Sequence, residues 1–200
     1  MITSLPNILS LSRVGVTPVL VALFFFDGDL VRWATAALFT AAALTDYLDG
    51  YLARARDQQS SLGRFLDPVA DKVLVAATLF MLVAVGRIAG WAVLPAVAIL
   101  CREIVISGLR EYLAGQRLTL PVTQLAKWKT GIQMAAIAIL IVAEPGRAGD
   151  MLALAGDIGL GVAAVLSIAT AYDYFRHSRG QMSARAASPG GSAKSPSPAG

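Results

Sequence analysis

Four aspartates occupy places where the surrounding sequence is otherwise suited to a lipid environment. Asp46 and Asp49 follow the apolar run WATAALFTAAALT, and Asp67 and Asp71 lie in GRFLDPVADK. Each carboxylate at lipid depth costs roughly 2.5–3.5 kcal/mol, and four drawn together repel one another. Two divalent cations balance four negative charges, and oxygen ligands with no His or Cys nearby favour Mg²⁺, Mn²⁺ or Ca²⁺ over zinc. The pattern therefore predicts a site that holds two Mg²⁺ or Mn²⁺ ions.

The spacing of the aspartates places each pair on one face of a helix. Asp46 and Asp49 are three residues apart, and Asp67 and Asp71 are four apart. The connecting loop is short, so the two helices are predicted to be antiparallel neighbours whose acidic faces meet. A single aspartate near the end of a membrane span is usually a solvated interfacial group. Four of them on two matched faces favour a binding site instead.

Small and basic residues accompany the aspartates. Gly50 and Ala53 share the face of the first pair, and Gly63 lies one turn before Asp67. Residues with a small side chain or none, placed beside a metal cluster, leave room for a bulky ligand. Arg54 and Arg64 add positive charge at the rim, where an anionic substrate would enter.

The composition indicates a helical membrane protein. Hydrophobic residues make up 56% of the chain and charged residues 15%, against about a quarter charged in soluble domains, and apolar stretches of about 20 residues recur. We therefore expect an all-α bundle of six transmembrane helices over residues 1–177, followed by a disordered cytoplasmic tail over 178–200. The predicted spans are 5–26, 31–56, 64–86, 91–114, 123–143 and 150–175. Because no basic residue precedes Arg13, the first apolar run is expected to be a retained helix and not a signal peptide.

The distribution of basic residues predicts the orientation. If the N-terminus is cytoplasmic, three of the seventeen Lys and Arg residues lie outside, at Arg32, Arg87 and Arg147. Fourteen then lie toward the cytoplasm, so both termini are predicted to be inside. The positive charge on the cytoplasmic side is suited to binding anionic lipid head groups and anionic substrates. Nucleic acid is not expected as a partner, because most of the charge is set at helix ends.

Several single residues receive structural interpretations. The lone cysteine, Cys101, excludes an intramolecular disulfide and is expected to be a small packing residue. Gln133 is interpreted as an interhelical hydrogen-bonding residue. Trp33, Trp91 and Trp128 fall near span ends, as in an aromatic belt.

The aspartate motif resembles the signature of a known family. Asp46-x2-Asp49-Gly50-x2-Ala53-Arg54-x8-Gly63-x3-Asp67-x3-Asp71 is similar in every fixed position to the motif of the CDP-alcohol phosphotransferases. The resemblance covers about residues 4–176 and includes LPNILSLSRVGVTPVL, REIVISGLREYLA and KWKTGIQM. It implies a six-helix membrane fold, a homodimer and a bacterial inner membrane, with the site facing the cytoplasm.

The resemblance also implies a reaction and roles for residues. The members that this chain looks most like transfer a phosphatidyl group from CDP-diacylglycerol to glycerol 3-phosphate and release CMP. By this resemblance Asp46, Asp49, Asp67 and Asp71 bind two divalent cations, and Asp71 is also the general base. The CDP-diacylglycerol-binding residues that it implies are Asp46, Gly50, Ala53, Arg54 and Gly63.

The phosphate of the acceptor needs cations near the same membrane face. Arg102 and Arg110 on the fourth span, with Lys127 and Lys129 at the start of the fifth, are the candidates. Basic residues at cytoplasmic helix ends also commonly serve as topology determinants or lipid anchors, so that interpretation stays open.

Three alternative functions remain. Another acceptor, namely serine, inositol phosphate or phosphatidylglycerol, would keep the motif and change the product. A divalent-cation transporter could use the acidic cluster, although the sequence carries no second acidic layer at the other end of the bundle. A catalytically idle scaffold would not need four carboxylates on matched faces.

Overall fold

The protein is helical throughout its described parts. A computed structural model describes residues 5–56, 61–115, 124–144 and 147–186, and within these ranges it contains helices and turns but no strand. The helices are α1 Leu5–Leu23, α2 Asp29–Arg56, α3 Ser61–Ala84, α4 Val93–Gly115, α5 Gln124–Val142 and α6 Arg147–Ala186, with a short 3₁₀ helix at Gly90–Ala92 before α4. The predicted all-α class is confirmed.

Among the residues whose side chains are described, three helices are long and apolar enough to cross a membrane. They span Gly90–Gly115, Gln124–Val142 and Gly149–Arg176, and two shorter apolar stretches lie at Leu11–Leu23 and Lys72–Ala84. Their length and composition support a multi-pass membrane protein. The count of six spans stays a prediction.

All six helices contribute to one apolar core. Each supplies at least one side chain with no exposed surface, and these are Leu20, Phe39, Leu74, Ile99, Ile137 and Leu160. Helix α1 packs against α2 and α3, α2 packs against α5, and α6 packs against α4 and α5. Large apolar side chains such as Phe80, Ile104 and Val165 point outward, as expected where the surrounding medium is lipid.

Small residues bring α5 and α6 into close contact. A Cβ atom built on Gly156 would lie 2.6 Å from the Leu140 side chain, and one on Gly159 would lie 3.0 Å from the Cβ of Ala136. Glycine lets two membrane helices approach without a side chain between their backbones. This contact fixes the spacing of the two most closely packed helices.

A glycine turn ends α3. Gly86 has φ +74°, and the N–H of Arg87 donates to the carbonyl of Leu82 at 2.9 Å. This is the Schellman arrangement, in which a left-handed residue lets the last carbonyls of a helix find donors. It turns the chain directly after α3 and places Arg87 at that end of the bundle.

Two features differ from the sequence-based expectations. Helix α6 continues to Ala186, so residues 178–186 of the predicted tail are helical. The reason is that this stretch contains helix-forming Arg, Gln, Met and Ala residues and precedes the first proline of the tail. Cys101 is exposed because it lies on the outer face of α4, so its interpretation as a packing residue is wrong.

The three tryptophans agree with the predicted aromatic belt. Trp33, Trp91 and Trp128 are all largely exposed, and each lies within a few residues of the start of α2, α4 or α5. Amphipathic rings at helix ends are typical of the membrane–water interface.

Candidate active site

A polar cavity marks one end of the bundle. It has a volume of about 400 Å³ and is lined by Arg32 from α2, Arg87 from the turn after α3, Glu144 from the end of α5 and Asp150 from α6. Arg32 forms an ion pair with Glu144 at 2.7 Å, and the Arg87 guanidinium donates to the carbonyl of Ile141. Four helix ends therefore meet here: the start of α2, the ends of α3 and α5, and the start of α6. We call this the opposite end, because the four aspartates lie at the other end of the bundle.

Two arginines, Arg32 and Arg87, line this cavity together. Burial lowers the pKa of Arg87 below its ordinary value, and the neighbouring positive charge of Arg32 lowers it further. Arg32 also contacts Asp29 in the first turn of α2. The prediction that Arg32 and Arg87 lie at the same end is consistent with this shared cavity.

The four aspartates lie at the other end, which we call the acidic end. Fourteen residues of α2 separate Arg32 from Asp46, which is about 21 Å at a rise of 1.5 Å per residue. Thirteen residues of α3 separate Asp71 from Ala84, which is about 20 Å. The two helices run in opposite directions along α1, so both pairs of aspartates fall at a similar level. The meeting of the two acidic faces stays a prediction.

The side chains of the predicted motif lie outside the described part of the structure. This applies to Asp46, Asp49, Asp67 and Asp71 and also to Gly50, Ala53, Arg54, Gly63 and Arg64. Among the side chains that are described, no group of three His, Cys, Asp or Glu residues could hold a metal ion. The predicted metal ligands therefore remain the four aspartates of the motif.

A charged network joins α4, α5 and α6 toward the acidic end. Lys129 of α5 forms an ion pair with Glu103 of α4. Arg102 contacts the same carboxylate at 3.2 Å, donates to the carbonyl of Ser167 at 3.2 Å and donates to the hydroxyl of Thr170 at 2.8 Å. One carboxylate thus receives two cations, and one guanidinium connects α4 to α6.

Tyr174 extends this network along α6. Arg110 donates to its hydroxyl at 2.8 Å, and the guanidinium groups of Arg110 and Arg102 lie 5.1 and 5.8 Å from the centre of its ring. These distances are within the range of cation–π attraction. Both arginines on α4 are therefore held against α6, whereas Lys127 is exposed at the start of α5.

The four candidates for binding the acceptor phosphate thus fall into two environments. Lys129 is buried and paired with Glu103, and Arg102 is largely buried between α4 and α6. Arg110 and Lys127 are exposed. The structure brings Arg102, Arg110 and Lys129 into one network and leaves Lys127 on the surface.

A second cavity opens between α3, α4 and α5, and we call it the lateral cleft. It has a volume of about 290 Å³, and its lining includes Lys72, Ala76, Glu103, Ile104, Lys129 and Gln133. Lys72 follows Asp71 directly in α3, so the cleft begins at the level of the aspartates. Gln133 is almost fully buried, and its Oε1 atom has no hydrogen-bond partner within the described structure. Its interpretation as an interhelical hydrogen-bonding residue is therefore not supported for this oxygen.

Sequence reasoning missed the central position of Glu103 and Tyr174. Neither residue was among the candidate site residues that the sequence indicated. The available signal was an ionisable residue within each of two adjacent membrane spans, which usually requires a partner. Periodicity places Glu103 and Lys129 on faces of their helices but does not state which faces meet.

Comparison with known proteins identifies the family. A family model described as CDP-alcohol phosphatidyltransferase matches residues 3–171, which include the aspartate motif and most of all six helices. The chain belongs to this family. The resemblance inferred from the motif is confirmed.

Proteins similar to this chain include phosphatidyltransferases that act on glycerol 3-phosphate, by their names, and a cardiolipin synthase. A CDP-diacylglycerol–glycerol-3-phosphate 3-phosphatidyltransferase of Rickettsia typhi is 42% identical over 173 residues, covering 86% of this chain and 96% of the relative. A protein of the same name from Cereibacter sphaeroides is 36% identical over 208 residues, covering 86% of this chain and 94% of the relative. A cardiolipin synthase (CMP-forming) of Oryza sativa subsp. japonica is 40% identical over 186 residues, covering 86% of this chain but 56% of that protein.

The charged network and the lateral cleft both lie toward the aspartate motif of this family. The region matched by the family model includes the aspartate motif, which lies at the acidic end of the bundle. The network of Glu103, Lys129 and the two arginines lies toward that end, and the lateral cleft begins at the residue after the last aspartate.

Proposed function

We propose that the protein transfers a phosphatidyl group from CDP-diacylglycerol to glycerol 3-phosphate, which gives phosphatidylglycerol phosphate and CMP. The observation that carries this proposal is the near full-length similarity to phosphatidyltransferases of that name, at 42% identity in the Rickettsia typhi protein. The intact aspartate motif at one level of two helices supports it.

The donor set of the motif fits two divalent cations. Four carboxylates supply hard oxygen ligands, which Mg²⁺ and Mn²⁺ prefer, and their positions in the successive helices α2 and α3 support a shared site. We assign Asp46, Asp49, Asp67 and Asp71 as the residues that hold the ions. When bound, such ions neutralise charge on a diphosphate and on a departing phosphate group.

The chain supplies the remaining chemistry through its own residues. Asp71 takes the proton of the acceptor hydroxyl as that oxygen forms a bond to the β-phosphorus of CDP-diacylglycerol. The bond from this phosphorus to the CMP oxygen breaks at the same centre, so CMP leaves with the electron pair. A base in this role must come within about 2.6–3.2 Å of the hydroxyl.

The glycines and the arginine of the motif are proposed to bind the nucleotide. Gly50, Ala53 and Gly63 leave space beside the carboxylates for the CDP moiety, and Arg54 supplies positive charge to its phosphates. Positioning and charge neutralisation are the main requirements of phosphoryl transfer, so these residues act chiefly by orientation.

The acceptor phosphate is proposed to bind near the exposed cations of the acidic end. Arg110 is exposed and is oriented by Tyr174, and Lys127 is exposed on α5. Arg102 and Lys129 instead hold Glu103 between α4 and α5. Within the candidate set we therefore assign phosphate contact to Arg110 and Lys127, and positioning to Arg102 and Lys129.

The proposed setting is a bacterial inner membrane crossed six times. Both termini and the acidic end face the cytoplasm in this proposal, because fourteen of the seventeen basic residues would then lie inside. A homodimer is proposed from family membership. Cysteines introduced singly at Arg32 and Lys127, in a Cys101→Ala background because Cys101 is exposed, test the orientation by accessibility labelling in intact cells, and labelling of both from the same side would overturn it.

A panel of acceptors tests the function directly. Purified protein is supplied with CDP-diacylglycerol, Mg²⁺ and one acceptor at a time: glycerol 3-phosphate, serine, inositol phosphate or phosphatidylglycerol. CMP release and the mass of the lipid product are measured. Turnover with glycerol 3-phosphate alone supports the proposal, and turnover with serine but not glycerol 3-phosphate rejects it.

One alternative is favoured by a specific observation. The cardiolipin synthase of Oryza sativa is 40% identical to this chain, so phosphatidylglycerol is the acceptor that competes most directly. A cardiolipin product with no phosphatidylglycerol phosphate would establish that alternative. Metal flux into proteoliposomes without CMP release would instead establish a cation transporter.

A further inference from the structure

We propose that the cavity at the opposite end binds the head group of a phospholipid that carries both a phosphate and a primary ammonium group. Arg87 receives the phosphate, and Asp27 receives the ammonium group. The inference goes beyond the proposed function, because the cavity supplies none of the residues assigned to phosphatidyl transfer. Its residue Arg32 lies about 21 Å along α2 from Asp46.

The cavity carries charged groups of both signs. Its lining includes the three carboxylates of Asp27, Glu144 and Asp150 and the two guanidinium groups of Arg32 and Arg87. A simple anion would therefore meet an excess of negative charge, and a simple cation would meet two arginines. A ligand that contains both a phosphate and an ammonium group gives each sign of charge a partner.

Of the two guanidinium groups, that of Arg87 is available to a ligand. Arg32 forms ion pairs with Asp29 and Glu144. Within the described ranges Arg87 contacts no carboxylate, and its guanidinium donates to the carbonyl of Ile141. Burial and the nearby charge of Arg32 lower the pKa of Arg87, and a phosphate bound here would offset both effects. A guanidinium has five N–H donors, so donors remain for that phosphate.

Asp27 is the carboxylate placed to receive the ammonium group. It is exposed, it lines the cavity, and it forms no ion pair with a residue that the structure describes. Its negative charge acts on Arg87 without a direct contact, so the two groups lie near each other. A primary ammonium group has three N–H donors, and its hydrogen bonds to a carboxylate are charge-assisted.

Two glycine turns carry these charged groups. Gly28 directly follows Asp27 and has φ +122°, and Gly86 directly precedes Arg87 and has φ +74°. Both glycines line the cavity, and a Cβ atom on either would meet nothing within 4 Å. The turns therefore hold the two charges at the cavity and leave space beside their backbones for a ligand.

The cavity lies at the depth of a phospholipid head group. Trp33 and Trp91 are exposed near the starts of α2 and α4, as is typical of the membrane–water interface. Phe26 and Val85 line the cavity and are 64% and 42% exposed. The acyl chains of a lipid held in the cavity would lie along this apolar surface, which favours a lipid over a free phosphate compound.

Lipid binding in detergent tests the assignment. Phosphatidylethanolamine is titrated into the purified full-length protein, and native mass spectrometry counts the lipid molecules that each chain retains. Phosphatidylglycerol has the phosphate but no ammonium group, and in phosphatidylcholine methyl groups replace the N–H donors. Both should bind about tenfold more weakly than phosphatidylethanolamine, equivalent to about 1.4 kcal/mol.

Three results of the titration would overturn the proposal. Equal affinity for the three lipids would mean that the cavity does not recognise the head group. Displacement of phosphatidylethanolamine by inorganic phosphate would assign the cavity to a free anion. Displacement by glycerophosphoethanolamine would assign it to a soluble compound without acyl chains.

Asp27→Asn separates recognition of the ammonium group from recognition of the phosphate. Because Asp27 is exposed, the variant should keep the wild-type melting temperature. Its affinity for phosphatidylethanolamine should fall to that for phosphatidylcholine, which should not change. Glu111→Gln neutralises an exposed carboxylate of α4 outside the cavity and should keep the wild-type preference. An unchanged preference in Asp27→Asn would contradict the assignment.

Arg87→Gln tests the contact with the phosphate. It should weaken the binding of all three lipids about tenfold, because all three contain the phosphate. Arg179→Gln removes an exposed guanidinium of α6 outside the cavity and should bind as wild type. Unchanged binding by folded Arg87→Gln would overturn the phosphate contact, and Asp27→Asn decides the case in which Arg87→Gln does not fold. None of these measurements uses CMP release, so their outcome is independent of the proposed function.

Discussion

Lys129 of α5 and Glu103 of α4 form an ion pair whose side chains are only 4% and 20% exposed. Burying two charges is costly, and the cost is offset only while both partners are present. Lys129→Met removes the closest described cation from Glu103 and should destabilise the protein by about 3–5 kcal/mol. Thermal unfolding in detergent, followed by tryptophan fluorescence, measures this loss.

A double variant tests whether Glu103 and Lys129 stabilise the protein through each other. Glu103→Gln combined with Lys129→Met removes both charges, so the double variant should recover much of the stability lost in Lys129→Met. A double variant that is as unstable as the sum of its two single variants would show that the two residues act independently.

Arg102 and Arg110 should respond differently to the same substitution. Arg102→Gln removes contacts with Glu103, Ser167 and Thr170, so the melting temperature should fall by several degrees. Arg110→Gln removes an exposed cation that contacts Tyr174 and should chiefly raise the KM for glycerol 3-phosphate, by about tenfold for a lost charge-assisted contact.

Tyr174→Phe is the control for Arg110. It removes the hydroxyl that Arg110 contacts and keeps the ring and the cation. A KM change smaller than that of Arg110→Gln is therefore expected. An unchanged acceptor KM in Arg110→Gln would remove Arg110 from the acceptor site.

Two glycines of α6 offer a matched test of helix packing. A Cβ atom at Gly156 would meet the Leu140 side chain at 2.6 Å, whereas one at Gly161 would meet nothing within 4 Å. Gly156→Ala should destabilise the protein by about 1–3 kcal/mol through overpacking, and Gly161→Ala should be neutral or slightly stabilising because alanine favours the helix. Equal melting temperatures for the two variants would contradict the close contact between α5 and α6.

The helices were largely predictable because apolar length and glycine turns determine them locally. Gly28 and Gly86 both adopt positive φ, at the junctions between the first and second and between the third and fourth predicted spans. The end of α6 was less predictable. Its last residues mix serine and glycine with good helix formers, and composition alone does not state where a helix that leaves the membrane stops.

The sequence was enough to predict the motif of the candidate site. It was not enough to predict which side chains around the site contact one another. The spacing of the aspartates places them on faces of α2 and α3, and their side chains lie outside the described part of the structure. The partners of Arg102 and Lys129 could not be inferred, since a residue's position on a helix face does not identify the neighbouring helix. Gln133 shows the same limit: its polarity suggested an interhelical bond, whereas its oxygen lies at a cleft without a described partner.

Removal of divalent cations should abolish turnover in a reversible way. Treatment with EDTA should stop CMP release, because the four carboxylates of the motif would then repel one another without compensation. Mg²⁺ or Mn²⁺ in excess should restore it, and Zn²⁺ should do so poorly because it prefers nitrogen and sulfur ligands. Full activity after exhaustive chelation would contradict the proposed metal site.

Asp71→Asn tests the assignment of the general base. The amide keeps the size of the side chain but cannot take a proton, so CMP release should fall by about 10²–10⁴-fold, the usual contribution of general base catalysis. Binding of CDP-diacylglycerol should persist because three carboxylates of the motif remain. Turnover and equilibrium binding of the labelled liponucleotide are measured on the same preparation. Asp157→Asn, which changes a carboxylate of α6 outside the motif, is the control and should turn over as wild type. Comparable activity in Asp71→Asn and wild type would exclude Asp71 as the base.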